Sequence, residues 1–325
     1  SNISFSGIGI YKPFKSIHFN GSDGETAAWS YEVVNLFDIL QKNGQDVFML
    51  SPCDRPEIMG PLDRSKFYEQ IIVVGGSFAL DSEPEHIILF KLRGLCRKLT
   101  LLITDQKLIP QNTGSWGYFD EILTQSTKQE ILQETDAWVR DCFPVQAHCK
   151  VKRSYTEELV LYDFKRSQDE FEKKYLFYFG GGERGRTKSF FEYVYRPHHV
   201  LNIKSTTLGI DNRVSFAQHT KRLQNAFATI VIADELYNKT GFVTPRQYEA
   251  WMCDTIAFAE KDYDPLCKIY PADSYLRVNS FIEMDKKIQE LRANEKKAQE
   301  IIEWQRSQIT SDKVSGKTIY KRICK

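Results

Sequence analysis

The sequence predicts an α/β protein of two domains, each a parallel sheet covered by helices on both faces. Three observations carry this. Short apolar runs ending in glycine or polar residues alternate with helix-spaced segments through residue 105. A second series of the same kind follows a charged stretch at 162–174, and the 325 residues exceed what one core usually organises.

Residues 3–10 alternate as a first strand. Residues 26–40 place apolar side chains at helical spacing until Asn43-Gly44 stops them, and residues 46–50 resume as strand. Residues 70–76 and 99–105 are continuous apolar runs, the pattern of strands buried on both faces, with a helix expected at 86–97 between them. Ligands of such sheets bind beyond the carboxyl ends of the strands, and Asp105 lies at one. Residues 162–174 are charged, lack an apolar period and read as a linker. The later strands are expected at 176–179, 199–203 and 229–233, a helix at 247–256, and one long amphipathic helix at 281–305 with Phe281, Ile288, Leu291, Ala298, Ile301 and Ile302 on its apolar face. A cleft between the two domains is the natural ligand site.

Hydrophobic residues make up 42%, with 21 Phe and 16 Tyr, which excludes disordered and fibrous classes. No apolar run has the length to cross a bilayer, and no basic-then-apolar leader is present, so neither membrane insertion nor secretion is expected. The seven cysteines (53, 96, 142, 149, 253, 267, 324) are odd in number and lack paired metal-type spacing, which suits reduced thiols in a cytoplasm. His148-Cys149 and His198-His199 are adjacent pairs whose side chains would point oppositely on a strand, and no protein-bound metal is assigned to them. Lys and Arg (44) nearly cancel Asp and Glu (43), so bulk charge gives no sign of nucleic acid. Local cationic clusters do occur, at 150–153, 165–166, 184–188 and 313–325, and each by itself reads more readily as solvated surface than as a binding stripe.

The most informative stretch is Leu176-Phe177-Tyr178-Phe179-Gly180-Gly181-Gly182-Glu183-Arg184-Gly185-Arg186-Thr187-Lys188. It joins a buried strand to a glycine turn and then to three cations opening a helix. The glycines admit backbone N–H groups close to phosphate oxygens, the helix start adds a positive dipole end, and the arginines offer forked donors. The pattern suits a diphosphate, although the glycine run alone is equally a strand-to-helix turn. Further on, Asp234-Glu235-Leu236-Tyr237-Asn238 follows a buried strand. Arg246 and Glu249 then share a helix face, where the guanidinium suits phosphate oxygens and the carboxylate suits two neighbouring ribose hydroxyls; a surface ion pair is the plainer alternative.

Thr104-Asp105-Gln106-Lys107-Leu108, the cradle with Arg184, the Asp234 loop and Arg246-Gln247-Tyr248-Glu249 occur in an order and spacing that resemble the DNA β-glucosyltransferase family of T-even bacteriophages, with Glu25-Thr26 before the first helix also similar. The resemblance runs with gaps along nearly the whole chain. It implies a GT-B fold of two Rossmann-like domains facing a central cleft. Residues 1–165, with 307–325 returning, would form the acceptor (DNA) side, and residues 166–306 the nucleotide-sugar side.

The resemblance also implies roles. Asp105 is the expected catalytic base. Donor binding falls to Gly181, Gly182, Arg184, Arg186, Lys188, Val214 (through its backbone to uracil), Asp234, Tyr237, Arg246, Glu249 and Glu25. Apart from the resemblance, loops with Ser77, Phe78, Ser115, Trp116 and Tyr118 lie where they would hold DNA, and their aromatics read equally as ordinary packing residues. The implied reaction is inverting transfer of a sugar from a UDP-sugar to 5-hydroxymethylcytosine in double-stranded DNA, by a monomer in the cytoplasm of an infected bacterium. Any Mg2+ or Mn2+ would be held mainly by the diphosphate. Gly182 stands where the family has serine, and the spacing between cradle cations is shorter, so Arg186 or Lys188 would fill the second cationic position. These departures leave open UDP-glucose or a pentose donor such as UDP-arabinose, 5-hydroxymethyluracil as acceptor, a small-molecule or glycan acceptor, and a noncatalytic DNA- or nucleotide-binding protein of the same fold. Pro245 is expected at the first position of the Arg246 helix.

Overall fold

The computed structural model of the chain describes residues 2–13, 15–19, 28–76, 83–105, 118–124, 152–155, 173–181, 185–195, 206–207, 216–241, 243–309 and 316–324. The expected strand at 199–203, most of the 162–174 linker and the two histidine pairs at 148–149 and 198–199 lie outside these residues. The described chain divides into two compact units, one of residues up to 155 together with 316–324, the other of residues 173–309.

The first unit is a six-stranded sheet in which every pairing is parallel. Its strands are β1 (Ile8–Tyr11), β2 (Val47–Met49), β3 (Tyr68–Gly76), β4 (Cys96–Asp105), β5 (Glu121–Thr124) and β6 (Lys152–Tyr155), in the order β2-β1-β3-β4-β5-β6. The chain moves outward from β1 to β2 and then crosses to β3, so the order reverses beside β1, where open α/β sheets leave a crevice at the strand carboxyl ends. Helix α1 (Ala28–Lys42) packs Val33, Leu36, Phe37 and Leu40 against Ile8, Ile10, Ile72, Val74 and Leu102, and Ile319 and Ile323 of the helix Gly316–Cys324 enter the same cluster. Ile71, Val73 and Leu101 fall on the opposite face by strand alternation and are equally buried, which is why β3 and β4 read as continuous apolar runs.

Two boundaries here differ from expectation. Helix α2 covers Glu83–Arg93 rather than 86–97, because Gly94 and Leu95 close its end with bonds to the carbonyls of Phe90 and Leu92, and Cys96 already opens β4. The alternating stretch at 3–10 forms β1 only from Ile8, with Phe5 making an isolated bridge to Phe67. Among the described residues no helix is long and apolar enough to cross a membrane.

The second unit holds a four-stranded parallel sheet of β7 (Tyr175–Phe177), β10 (Ala226–Val231), β11 (Ile256–Glu260) and β12 (Arg277–Val278), ordered β12-β11-β10-β7. A separate pair, β8 (Gly180–Gly181) and β9 (Thr206–Thr207), follows β7. The helices are α3 (Thr187–Phe190), α4 (Phe216–Gln224), α5 (Glu235–Thr240), α6 (Arg246–Met252), α7 (Phe281–Ala293) and α8 (Glu295–Ile309).

The single helix expected at 281–305 is two. Asn294 leaves the helical region (φ −131°, ψ 82°) and its side-chain oxygen accepts from the Lys297 N–H, so one residue ends α7 and caps α8. The helix expected at 247–256 stops at Met252. Asp254 takes φ 52°, a left-handed turn that a short polar side chain tolerates, and Ile256 begins β11.

Candidate functional site

The polar centre of the second unit forms where the exits of β7 and β10 meet α4 and α6. Gly181 adopts φ +152°, a region L side chains rarely enter. A Cβ placed there would lie 2.8 Å from Arg246 Nη2 and 2.9 Å from Arg186 Nη2, so two guanidinium groups close on one point of the backbone. Arg246 Nη1 also donates to the Gly180 carbonyl, and Arg186 Nη1 donates to the Ile232 carbonyl at 3.0 Å. Both guanidinium carbons lie near the ring of buried Phe179, at 5.5 Å from its centroid for Arg186 and 5.6 Å for Arg246.

Like charges this close repel. Burial, and then the adjacent Arg246, push the Arg186 guanidinium down to about 9, against the opposing pull of Tyr237, Asp234 and Glu260. Arg186 is still cationic at neutral pH, and the pair has the charge and donor geometry to take a doubly charged oxyanion.

One turn along α6 from Arg246, the buried Glu249 places Oε2 at 3.1 Å from His219 Nε2 of α4, and His219 Nδ1 lies 3.0 Å from the hydroxyl of Tyr178. A carboxylate only accepts, so Nε2 carries a proton; in the neutral ring Nδ1 then accepts from Tyr178. Phe179, Gly180, His219, Arg246 and Glu249 line a small recess that opens to solvent. Thr244 Oγ1 accepts the Arg246 N–H at 3.4 Å, and Pro245 is the N-cap of α6 and not, as expected, its first helical residue.

A second cluster sits at the end of β10. The Asp234 carbonyl accepts from the N–H groups of Tyr237 and Asn238 and so starts α5, while its carboxylate occupies the space a side chain on Gly185 would need. Asn238 Nδ2 donates to Glu260 Oε1 at 3.3 Å. Burial raises the Glu260 pKa, opposed by hydrogen bonds from Ser189, Asn238 and the Ala233 backbone. Among the described residues, no group of three or more His, Cys, Asp or Glu gathers as a metal site.

Of the residues singled out from the sequence, Gly181, Arg186, Arg246 and Glu249 come together here, with Asp234 and half-buried Tyr237 coupled electrostatically to Arg186. Lys188 is exposed in the first turn of α3. The helix dipole expected behind the glycine turn is weak, since α3 runs four residues before passing into a π turn at Phe191–Tyr195. Asp105 ends β4 beside Gly76 of β3, where the register shifts; its side chain lies outside the described set. Gly182, Arg184, Val214, Glu25, Ser77, Phe78, Ser115 and Trp116 are outside the described residues, and Tyr118 is half-buried just before β5. His219 was not legible, since a single histidine on a helix 30 residues from its partner carries no spacing signal.

No protein-family model matches the chain, and no curated protein matches it in sequence. Solved structures do match it. A structure of β-glucosyltransferase from T4 phage in complex with its UDP-glucose substrate is 16% identical with a TM-score of 0.67, over 97% of this chain and 98% of that one. A structure described as the DNA-modifying enzyme β-glucosyltransferase, in the presence and absence of uridine diphosphoglucose, is 15% identical with a TM-score of 0.69 over the same shares, 97% and 98%. The T4 phage enzyme with UDP and Mn2+ gives 16%, 0.66 and again 97% and 98%. The chain therefore has the α/β fold of these proteins, the GT-B type.

Proposed function

We propose that this chain is an inverting DNA glycosyltransferase that moves a sugar from a UDP-sugar to the hydroxyl of 5-hydroxymethylcytosine in duplex DNA. The observation that carries the reading is the closure of Arg186 and Arg246 on Gly181, with Glu249 one turn beyond in the same recess. Two mutually repelling guanidinium groups beside a carboxylate match a nucleoside diphosphate, with anionic oxygens for the arginines and ribose hydroxyls for the acid. The fold shared with a phage enzyme solved with UDP-glucose supports the same donor.

In this reading Asp105 takes the acceptor proton as the hydroxymethyl oxygen attacks the anomeric carbon. The bond to the diphosphate breaks with its electron pair leaving on the phosphate oxygen, and the configuration inverts. Arg186 and Arg246 meet that developing charge, with Arg184 and Lys188 as outer cations and the Gly181-Gly182 backbone against the phosphates. Val214 meets the base, and Asp234, Tyr237 and Glu25 the sugar. Ser77, Phe78, Ser115, Trp116 and Tyr118 hold a DNA strand whose target nucleotide has left the stack. The cationic cradle fits a diphosphate whose own oxygens hold any Mg2+ or Mn2+, which would supply further charge neutralisation. The protein acts as a monomer in the cytoplasm of a phage-infected bacterium.

The test is mass spectrometry of nucleosides from hydroxymethylated duplex DNA incubated with UDP-glucose, UDP-arabinose and other nucleotide sugars, with 5-hydroxymethyluracil DNA in parallel. A sugar adduct on 5-hydroxymethylcytosine is expected. Unmodified nucleosides across the donor panel would overturn the reading.

A further inference from the structure

We propose that His219 is a positioning residue for the donor's ribose, which holds the Glu249 carboxylate oriented so that the protein distinguishes ribose from 2′-deoxyribose. The inference rests on the reading of the recess as a uridine diphosphate site, and adds to it a residue and a selectivity.

Three elements converge to build this contact. Tyr178, at the exit of β7, is 2% exposed, and Glu249, on α6, is 9% exposed. His219 of α4 lies between them, 3.0 Å from the phenol and 3.1 Å from the carboxylate, and the two contacts run from Tyr178 through the ring to Glu249. The backbone is shaped around the ring as well. A Cβ on Gly180 would lie 2.5 Å from His219 Nδ1 and 2.5 Å from the Tyr178 hydroxyl, so the first glycine of the cradle is the residue type that leaves room for this imidazole.

The chemistry follows from which atoms are committed. With the His219 donor removed, the rotamer of the buried carboxylate loses the bond that fixes it, and its oxygens are no longer held toward the ribose hydroxyls. The His219 Nε2 donor occupies Oε2 and leaves the remaining acceptor positions of Glu249 for ligand hydroxyls in the recess that both residues line. Removing the ring therefore withdraws the acceptor that a 2′-hydroxyl needs, while the phosphate contacts of Arg186 and Arg246 stay in place.

Calorimetric titration of the full chain with UDP and with 2′-deoxy-UDP tests this. The unaltered protein is expected to favour UDP by about tenfold or more, the scale of a hydrogen bond to a charged group. His219→Ala and His219→Asn, neither of which reaches Glu249, should bring the UDP to deoxy-UDP ratio close to one without weakening deoxy-UDP itself. His219→Gln, whose amide N–H can reach the carboxylate, should restore the preference. A preference retained in His219→Asn, or lost equally in His219→Gln, would overturn the inference, and this pair carries the test even if His219→Ala fails to fold. Absence of UDP binding by the unaltered chain would instead overturn the donor site itself.

Discussion

The two units bury different things. In the first, the buried set is apolar apart from a few groups, and Glu121 is its one buried carboxylate among the described residues, paired with Lys98 at 2.6 Å. The second buries Asp234, Glu249, Asp254, Glu260 and Asp264. Four of the five have a dedicated hydrogen-bond partner, and Asp234 is coupled electrostatically to Arg186. Arg306 grips Asp254 through two bonds of 2.8 Å, and Asp264 accepts from the backbone N–H groups of Lys268, Ile269 and Tyr270. His219 serves Glu249 and Asn238 serves Glu260. The contrast shows two ways of stabilising a parallel sheet, one mainly by apolar area and one with many buried acids that must be satisfied. The second leaves fixed charge where a ligand can use it.

The sharpest way to separate the units is by rate against affinity. Asp105→Asn, in the first unit, should lower transfer by about 10²–10⁴-fold, the usual contribution of a general base, and leave UDP affinity unchanged in a titration. Loss of UDP binding in this variant would break the division of labour. Arg246→Ala, in the second unit, should weaken UDP binding by about 10- to 100-fold, since a hydrogen bond to a charged group is worth about 1.5–3 kcal/mol. Unchanged affinity would remove the arginine pair from the donor site.

Smaller effects sharpen the same contrast. Gly181→Ala forces a methyl group into a φ of +152° and against two guanidinium groups, and should cost about 1–3 kcal/mol in thermal unfolding together with a loss of UDP affinity. For Glu260 the folded-state pKa lies above the ordinary carboxylate value because of burial. The folded state then holds its proton more tightly than the unfolded one, so stability should fall as pH rises from that ordinary value through the raised one. Glu260→Gln should flatten this dependence in denaturant titrations across the same range. A slope identical to that of the unaltered chain would remove Glu260 as its source.

Legibility divided along the same line. Strands β3 and β4 were readable because burial on both faces makes them continuous apolar runs, and α1 because its apolar period is undisturbed. Strand β11 escaped notice. Its Ile-Ala-Phe-Ala-Glu follows α6 with no glycine or proline between, and the break is made by Asp254 in a conformation more often given to glycine. The split at Asn294 was hidden because the apolar face resumes at once in α8. In the site, Arg246 and Glu249 were found by their spacing of three and Arg186 by its place after a glycine turn. The reason for the glycines was only partly right. Gly180 and Gly181 make room for His219, Tyr178 and the two guanidinium groups of the protein itself, and His219 and Arg246 come from helices far along the chain that leave no local pattern.

The helix Gly316–Cys324 has a consequence for how the chain is made. Its Ile319 and Ile323 complete the apolar cluster beneath β1 and α1, Tyr320 accepts a bond from Gln45 at 2.5 Å, and the Ile323 carbonyl accepts from Gln70 at 2.9 Å. On the ribosome, residues 8–124 emerge long before this segment, so the unit translated first waits for a closing piece that arrives after the whole of the other unit. Nascent β1 and α1 therefore expose an oily strip throughout that delay, and chaperone capture should concentrate on them until residue 324 is free.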